Sequence, residues 1–456
     1  MHRSDRLGKR GRAVRTARRL ALAVLVGLIL WVQMGVPAQA RQDDLKLDVR
    51  SALLVDAKTG RVLYADANID TPYPPASMTK MMTEYLVLEA IGAGKLRWDD
   101  VITASDTVYF LGKHAGSRVF LNAGEKRTVR ELFEAMAIYS ANDATVALAE
   151  AVAGTETAFV ERMNEKARAL GLTHTHFVTA TGYPEDELGP YRPNVPGEQT
   201  MSARDAALLG LALLRDHPEV LQFTSIPKKT FRAGEANPLE MINWNWLLPG
   251  LPYAYEGTDG LKTGHTDAAK FSITATAKRG DMRLVAVVIG AESEKDRFEA
   301  ARKLFDYGFS HFRYETVARK GDRLPAAPAI EVQKGKSSSV PVVLGEDVVD
   351  VVADGGDGPK LSAELGPPPE APVKAGDRVG IVRPEQPDLP YLAAAYAEAA
   401  AVSLVAEADV PRAGAFQLFF RAIFDWIGRL FDRITGGLGA SGAEPSLAAS
   451  LPHLLQ

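Results

Sequence analysis

The sequence predicts an α+β fold, an antiparallel sheet covered by helices, followed by a small all-β domain and a terminal amphipathic helix. Three observations lead there. Strand-like apolar runs stand at both ends of residues 41–316 with amphipathic helices between them, an order that closes into one sheet with helices packed on it. From about residue 317 the texture changes to short valine-rich runs at 340–344, 348–353 and 378–382, broken by Gly-Asp, Gly-Pro and Pro-Pro-Pro. From 416 to 434 apolar residues recur at helical spacing.

The elements follow in chain order. Arg3, Arg6, Lys9, Arg10, Arg12, Arg15, Arg18 and Arg19 precede the apolar run 20–32, and Ala38-Gln39-Ala40 follows it. A basic region, a short apolar core and a small-x-small site read as a secretory signal peptide over 1–40, with an uncleaved anchor as the other reading. The 456 residues, 46% of them hydrophobic, suffice for more than one domain. A net charge of -4 and the lack of a basic stripe with interleaved aromatics exclude nucleic acid as a partner. With no cysteine there is no disulfide, thiol nucleophile or thiolate metal site, and the eight histidines fall in no metal-ligand spacing. We therefore expect neither a metal nor a cofactor.

Runs 52–56 and 61–65 flank Ala57-Lys58-Thr59-Gly60 as a β-hairpin. Pro74-Pro75 stop an extended segment, and a mostly apolar helix opens around Ser77. A mixed segment, 101–127, carries turn signals at Gly112, Gly116 and Asn122-Ala123-Gly124. Thr128-Val129-Arg130-Glu131 is a capping-box start for a helix running to Tyr139. Ser140-Ala141-Asn142-Asp143 then makes a tight turn before helix resumes over 144–152. Further helices are read at 161–170, 202–214 and 297–307, a Gly- and Pro-rich loop at 181–196, and strands at 259–264, 272–277 and 283–289. The alanine-rich stretch 392–407 is ambiguous between helix and strand.

The chemistry begins at Ser77. Residues three apart on a helix share a face, so Lys80 lies beside the Ser77 hydroxyl. A serine hydroxyl is a weak nucleophile until a neighbouring base takes its proton, and a lysine serves when burial or another cation lowers its pKa. The pair alone is a weak signal, since Ser225-Ile226-Pro227-Lys228 repeats it with a proline inside the turn and no helix to follow. Further along, Ser140-Ala141-Asn142 and Lys262-Thr263-Gly264 complete an ordered set, S-x-x-K, S-x-N, K-T-G. A second K-T-G, Lys58-Thr59-Gly60, precedes the serine and lies in a turn, so order and element both exclude it.

That ordered set resembles the penicillin-binding proteins and serine β-lactamases. Its neighbourhoods, Pro75-Ala76-Ser77-Met78-Thr79-Lys80, Ser140-Ala141-Asn142-Asp143-Ala144 and Asp259-Gly260-Leu261-Lys262-Thr263-Gly264-His265-Thr266, resemble the low-molecular-mass D-alanyl-D-alanine carboxypeptidases over about residues 45–410. The resemblance implies a β-lactamase/transpeptidase-like fold and a serine carboxypeptidase that trims peptidoglycan pentapeptide stems ending in D-Ala-D-Ala through an acyl-Ser77 intermediate, with β-lactam antibiotics as covalent inhibitors. It implies Lys80 as general base, Ser140 as proton relay and Asn142 as a hydrogen-bond partner of the acyl chain. Backbone N–H groups of Ser77 and His265 would form the oxyanion hole, Lys262 and Thr263 of the Lys262-Thr263-Gly264 strand would hold the terminal carboxylate, and the strand's edge would take the peptide by strand addition. Arg297 aligns with an arginine near that carboxylate; a surface ion pair with Glu294 or Glu299 is the other reading. The family usually carries Ala-Gly-aromatic after K-T-G-x-T, where Ala268-Ala269-Lys270-Phe271 lacks the glycine.

Two other functions are weighed. A class A β-lactamase needs a glutamate in an E-x-x-x-N setting, and the nearest candidate, Glu185-Asp186-Glu187-Leu188-Gly189, ends in glycine. A non-catalytic exported wall-binding protein would not need all the catalytic positions. The domains are expected at 41–316 (catalytic) and 317–410 (all-β), then an amphipathic helix at 411–436 and a disordered tail at 437–456. On that helix Phe416, Phe419, Phe420, Ile423, Phe424, Ile427, Leu430, Phe431 and Ile434 share an arc of about 140°. Such a stripe packs on the protein's own core or lies in a membrane interface. A Pro411/Gly414 linker and five phenylalanines favour the interface, hence peripheral anchoring through 416–434 on the outer face of the cytoplasmic membrane.

Overall fold

A computed structural model describes residues 45–421, 423, 426 and 427. The signal peptide expected at 1–40, the tail at 437–456 and most of the last helix lie outside the described residues. The chain divides into two compact units. The first runs to Arg313 and takes in Ala353–Gly356 and Gln386–Tyr396; the second comprises Tyr314–Val352, Asp357–Glu385 and the described chain from Ala397. Gln386–Tyr396 is tied to the first unit by both polar and apolar contacts: the buried Arg61 donates to the Leu389 carbonyl at 2.8 Å and lies 3.7 Å from the Tyr391 ring centre, and Leu392 joins the hydrophobic core.

In the first unit β1 (Ser51–Asp56) and β2 (Val62–Ala65) form the expected hairpin. Ala76–Thr79 is a 3-10 turn that runs into α1 (Lys80–Gly92), so the α-helix proper begins at the lysine and the serine sits in the tighter turn before it. β3 (Val101–Thr103) and α2 (Asp106–His114) follow. The sequence reading missed α2 by taking Gly112 as a turn. Gly112 is helical, and a side chain there would stand 2.7 Å from the Leu121 carbonyl oxygen, so close packing is what the glycine serves. After β4 (Lys126–Thr128), Thr128 and Glu131 close the capping box of α3 (Val129–Tyr139). α4 (Asn142–Ala153) comes next, then α5 (Glu156–Ala169), which opens at a Thr155 cap five residues before the sequence reading placed it. α6 (Ala203–Asp216) and the ladder of β5 (Lys228–Phe231) with β6 (Leu239–Ile242) lead to β7 (Thr258–Thr266), β8 (Lys270–Arg279), β9 (Met282–Ala291) and α7 (Glu294–His311).

The sheet order is β2-β1-β9-β8-β7, antiparallel throughout. The central strands β1 and β9 are buried almost end to end, because both faces are covered. Gly308 of α7 lies against Leu54 and Leu284, and Gly210 of α6 against Thr274 and Val285. Leu284 and Val285 are successive residues of one strand and so point to opposite faces, which sets α6 and α7 on opposite sides. The order leaves β7, which carries Lys262-Thr263-Gly264, at an edge.

The second unit has one five-stranded sheet, in the order Ala329–Glu331, Ser339–Leu344, Val402–Ala406, Arg378–Glu385 and Lys360–Leu365, with a valine-rich core. The ambiguous stretch 392–407 proves to be both, a short helix at Ala394–Ala399 and then the strand Val402–Ala406.

Lys270 occupies the position where the resemblance calls for glycine, and its φ is +56°. A left-handed conformation costs an L-residue about 1–2 kcal/mol. A glycine there sheds that cost and adds back unfolded-chain entropy of about 0.4–1 kcal/mol. Lys270→Gly should therefore unfold in urea within about 1 kcal/mol of wild type, and Lys270→Val, which resists this φ, should lose about 1–2 kcal/mol. An equal response of the two variants would refute the backbone account.

Candidate active site

The site starts from a strained turn. Pro75 accepts the Met78 N–H at 3.1 Å, and Ala76 takes φ +47°, which sets half-buried Ser77 at the mouth of a cleft of about 660 Å³. Such backbone conformations cost about 1–3 kcal/mol and persist only where surroundings enforce them. Here two glycines let neighbouring chain press against the turn. A side chain at Gly264 would stand 2.5 Å from the Pro75 carbonyl oxygen, and one at Gly182 would run into the Ala76 carbonyl. The glycine of Lys262-Thr263-Gly264 thus lets β7 approach the serine.

Lys80 is fully buried, and its Nζ stands 3.0 Å from Ser77 Oγ, 2.7 Å from Asn142 Oδ1 and 2.8 Å from the Thr181 carbonyl. A neutral amine has two N–H groups and one lone pair. The Asn142 and Thr181 oxygens can only accept, so they take both N–H groups and leave the lone pair for the serine hydroxyl. Burial, and then the charge of Lys262, hold the Lys80 pKa well below its ordinary value; Glu84, Glu156 and Asp143 oppose them wherever they are ionised. That is the electrostatic state a general base needs.

Ser140 ends α3 with φ +59°, a second left-handed non-glycine residue at the site. Its buried Oγ has no hydrogen-bond partner among the described residues, and it lines the cleft with Ser77 and Asn142. The turn is held from outside the motif: Asn142 N–H donates to the Ser117 carbonyl at 2.8 Å, and the Ser117 hydroxyl donates to the Tyr139 carbonyl. Buried Asp143 accepts from the N–H groups of Val119, Leu121 and Ala144, which fixes the start of α4.

Lys262 is buried, and burial lowers its pKa to about 8, with Arg297 acting in the same direction and Glu84 against it. Thr263, Gly264 and His265 line the cleft. The His265 ring stacks on Phe271 with centres 4.1 Å apart, so the side chain forms part of the cleft wall.

Arg297 makes the ion pair with Glu294 that the sequence left open, but buried rather than at the surface. It is 2% exposed, bonds Glu294 at 3.2 Å and the Gly264 carbonyl at 3.4 Å, and lines the cleft; Glu299 pairs with Lys295 instead. Its burial lowers its pKa to about 10, against the opposing charge of Glu294. Arg297 thus brings a guanidinium, paired with Glu294, to the cleft wall.

Sequence reasoning missed Thr181, Ser117 and Trp244. Thr181, and Ser117 toward Asn142, act through backbone oxygens, which have no residue signature. Trp244 lines the cleft and donates its indole N–H to the Tyr139 carbonyl at 3.0 Å; a lone aromatic in a loop gave no pattern.

Comparison with known proteins gives the same picture. Residues 37–293 match the family model described as D-alanyl-D-alanine carboxypeptidase, and residues 312–412 match the C-terminal domain of penicillin-binding protein 5. The chain is 32% identical over 416 residues to D-alanyl-D-alanine carboxypeptidase DacF of Bacillus subtilis, covering 90% of this chain and 99% of that one. It resembles PBP3 of Streptococcus pneumoniae, a peptidoglycan synthesis regulatory factor, with a TM-score of 0.68 and 32% identity over 80% of this chain and 99% of that one. Penicillin binding protein 5 of Haemophilus influenzae aligns with a TM-score of 0.64 and 30% identity over 80% and 98%.

Proposed function

This chain belongs to the D-alanyl-D-alanine carboxypeptidase family, and from that premise we propose that it removes the terminal D-alanine from peptidoglycan pentapeptide stems through an acyl-Ser77 intermediate. The observation that carries the residue assignment is the Lys80 amine, buried, low in pKa and 3.0 Å from Ser77 Oγ with its two N–H groups already committed.

Ser77 Oγ attacks the carbonyl carbon between the two D-alanines while Lys80 Nζ takes the hydroxyl proton. Backbone N–H groups of Ser77 and His265 receive the oxyanion, a device whose single donors are worth about 3–4 kcal/mol of barrier. Ser140, with no other partner for its Oγ among the described residues, passes the proton to the leaving amine as the C–N bond breaks. Asn142 has given its oxygen to Lys80, so its NH2, on the cleft lining, is the group that holds the acyl chain. Lys262 and Thr263 take the terminal carboxylate, Arg297 adds positive potential behind Gly264, and the free edge of β7 pairs with the peptide. Water then releases the acyl group. β-Lactams present the same carbonyl and acylate Ser77. Incubation with a pentapeptide should release D-alanine, and intact-mass spectrometry should find a long-lived penicillin adduct; rapid turnover without adduct would refute the assignment in favour of a β-lactamase.

The protein acts outside the cytoplasmic membrane, held to its outer face by the C-terminal helix. Two features support this. In the described start of that helix Phe416, Phe419 and Phe420 are exposed, as are Trp426 and Ile427. Its polar side is the one in use, since Arg421 donates to the Gly335 carbonyl at 3.0 Å. No helix among the described residues is long and apolar enough to cross a membrane. The full chain should sediment with vesicles of anionic lipid, and a chain truncated after Arg412 should stay in the supernatant; co-sedimentation of both would place the anchor elsewhere.

A further inference from the structure

One buried group is left over by the mechanism. Glu84 lies on α1 one turn beyond Lys80, fully buried, and neither carboxyl oxygen has a hydrogen-bond partner among the described residues. A buried carboxylate without a partner is expelled from protein interiors or held neutral. On a helix lined with Met81, Met82, Tyr85 and Leu86 an apolar residue would fit the same place, so packing alone does not explain an acid there.

We propose that Glu84 is a positioning residue that sets the charge of the two cleft lysines: an uncharged acid where Lys80 must be a free base, and an anion at higher pH, where it keeps the proton on Lys262. The inference rests on the catalytic reading above. The charged groups around it are Lys80 on its own helix and Lys262 from β7. Asp143 of α4 and Glu156 of α5 act on Lys80, and Arg297 of α7 acts on Lys262. Burial raises the Glu84 pKa to about 8, and both lysines oppose that rise. Below that point it carries no charge and cannot pull a proton onto Lys80. As pH climbs it ionises beside an ammonium that Arg297 and burial are trying to deprotonate. The carboxylate thus extends the range over which Lys262 can bind a substrate's terminal carboxylate.

The test is the pH profile of kcat/KM for D-alanine release, on the full chain and on Glu84→Gln. Glutamine copies the neutral acid, so the acid limb should stay in place. It cannot become an anion, so the alkaline limb should move down by about one pH unit, a loss of about tenfold on that limb. Limbs that both stay in place, or a uniform fall at every pH, would reduce Glu84 to packing and overturn the proposal. A moved acid limb would overturn it too, since Glu84 would then be charged in the resting site. Should Glu84→Gln not accumulate as folded protein, Glu84→Met is profiled instead. Methionine is close to glutamate in length and can carry no charge, so an unmoved alkaline limb would again count against the proposal. A wild-type chain that neither releases D-alanine nor forms the penicillin adduct would take the catalytic reading down and this inference with it. An active wild type with an unaltered variant profile removes the inference alone.

Discussion

Ser77→Ala should abolish the penicillin adduct outright and lower D-alanine release by about 10⁴–10⁶-fold, the range seen when the nucleophile of a serine hydrolase is removed. The substitution deletes one oxygen from a half-buried position. It leaves the 3-10 turn, the Ala76 backbone and the two close glycine approaches untouched, so the variant should fold. Two readouts separate chemistry from binding. Intact-mass spectrometry after penicillin shows whether any side chain is acylated, and pentapeptide affinity shows whether Lys262, Thr263 and Arg297 still hold the carboxylate. Loss of the adduct with retained peptide binding is the expected pair of results. An adduct of unchanged mass on the variant would place the nucleophile elsewhere, and the cleft would lose its catalytic assignment.

How much of this was legible in the sequence depends on which atoms do the work. Ser77, Lys80, Ser140 and Lys262 could be read because each is a side chain on an element whose start or turn has its own signal: two prolines, a polar break between helices, a strand near the end of the domain. The hairpin, the capping box and the strand pair 270–279 and 282–291 were equally plain, since alternation and turn residues are local. What stayed hidden is mediated by backbone or by distance. The Thr181 and Ser117 carbonyls hold Lys80 and Asn142, and any residue type could supply them. The burial of Arg297 could not be read from a helix whose spacing also allowed surface pairs. α2 was lost because a glycine chosen for close packing looks, in one dimension, like a glycine chosen for a turn. Glu84 is the intermediate case: a charge four residues after Lys80 on a mostly apolar helix was visible, but its meaning needed the knowledge that neither carboxyl oxygen has a hydrogen-bond partner among the described residues.

Replacing Lys80 by methionine isolates the base. The two side chains have similar length and volume, so packing around α1 is kept; the Asn142 and Thr181 oxygens lose their donor at a cost of about 1–3 kcal/mol each, and the lone pair that faces Ser77 is gone. Loss of a positioned general base costs about 10²–10⁴-fold, and kcat/KM for D-alanine release should fall by that factor. The pH profile gives the sharper result. In the wild type Lys80 must be unprotonated, so activity rises with pH through its depressed pKa, and it falls again as Lys262 loses its proton near pH 8. Lys80→Met should lose the rising limb and keep the falling one, because Lys262 still loses its proton at the alkaline end. If the acid limb survived in the variant, the base would have to be another group, and the three short contacts of the Lys80 amine would be a structural tie rather than the source of the nucleophile.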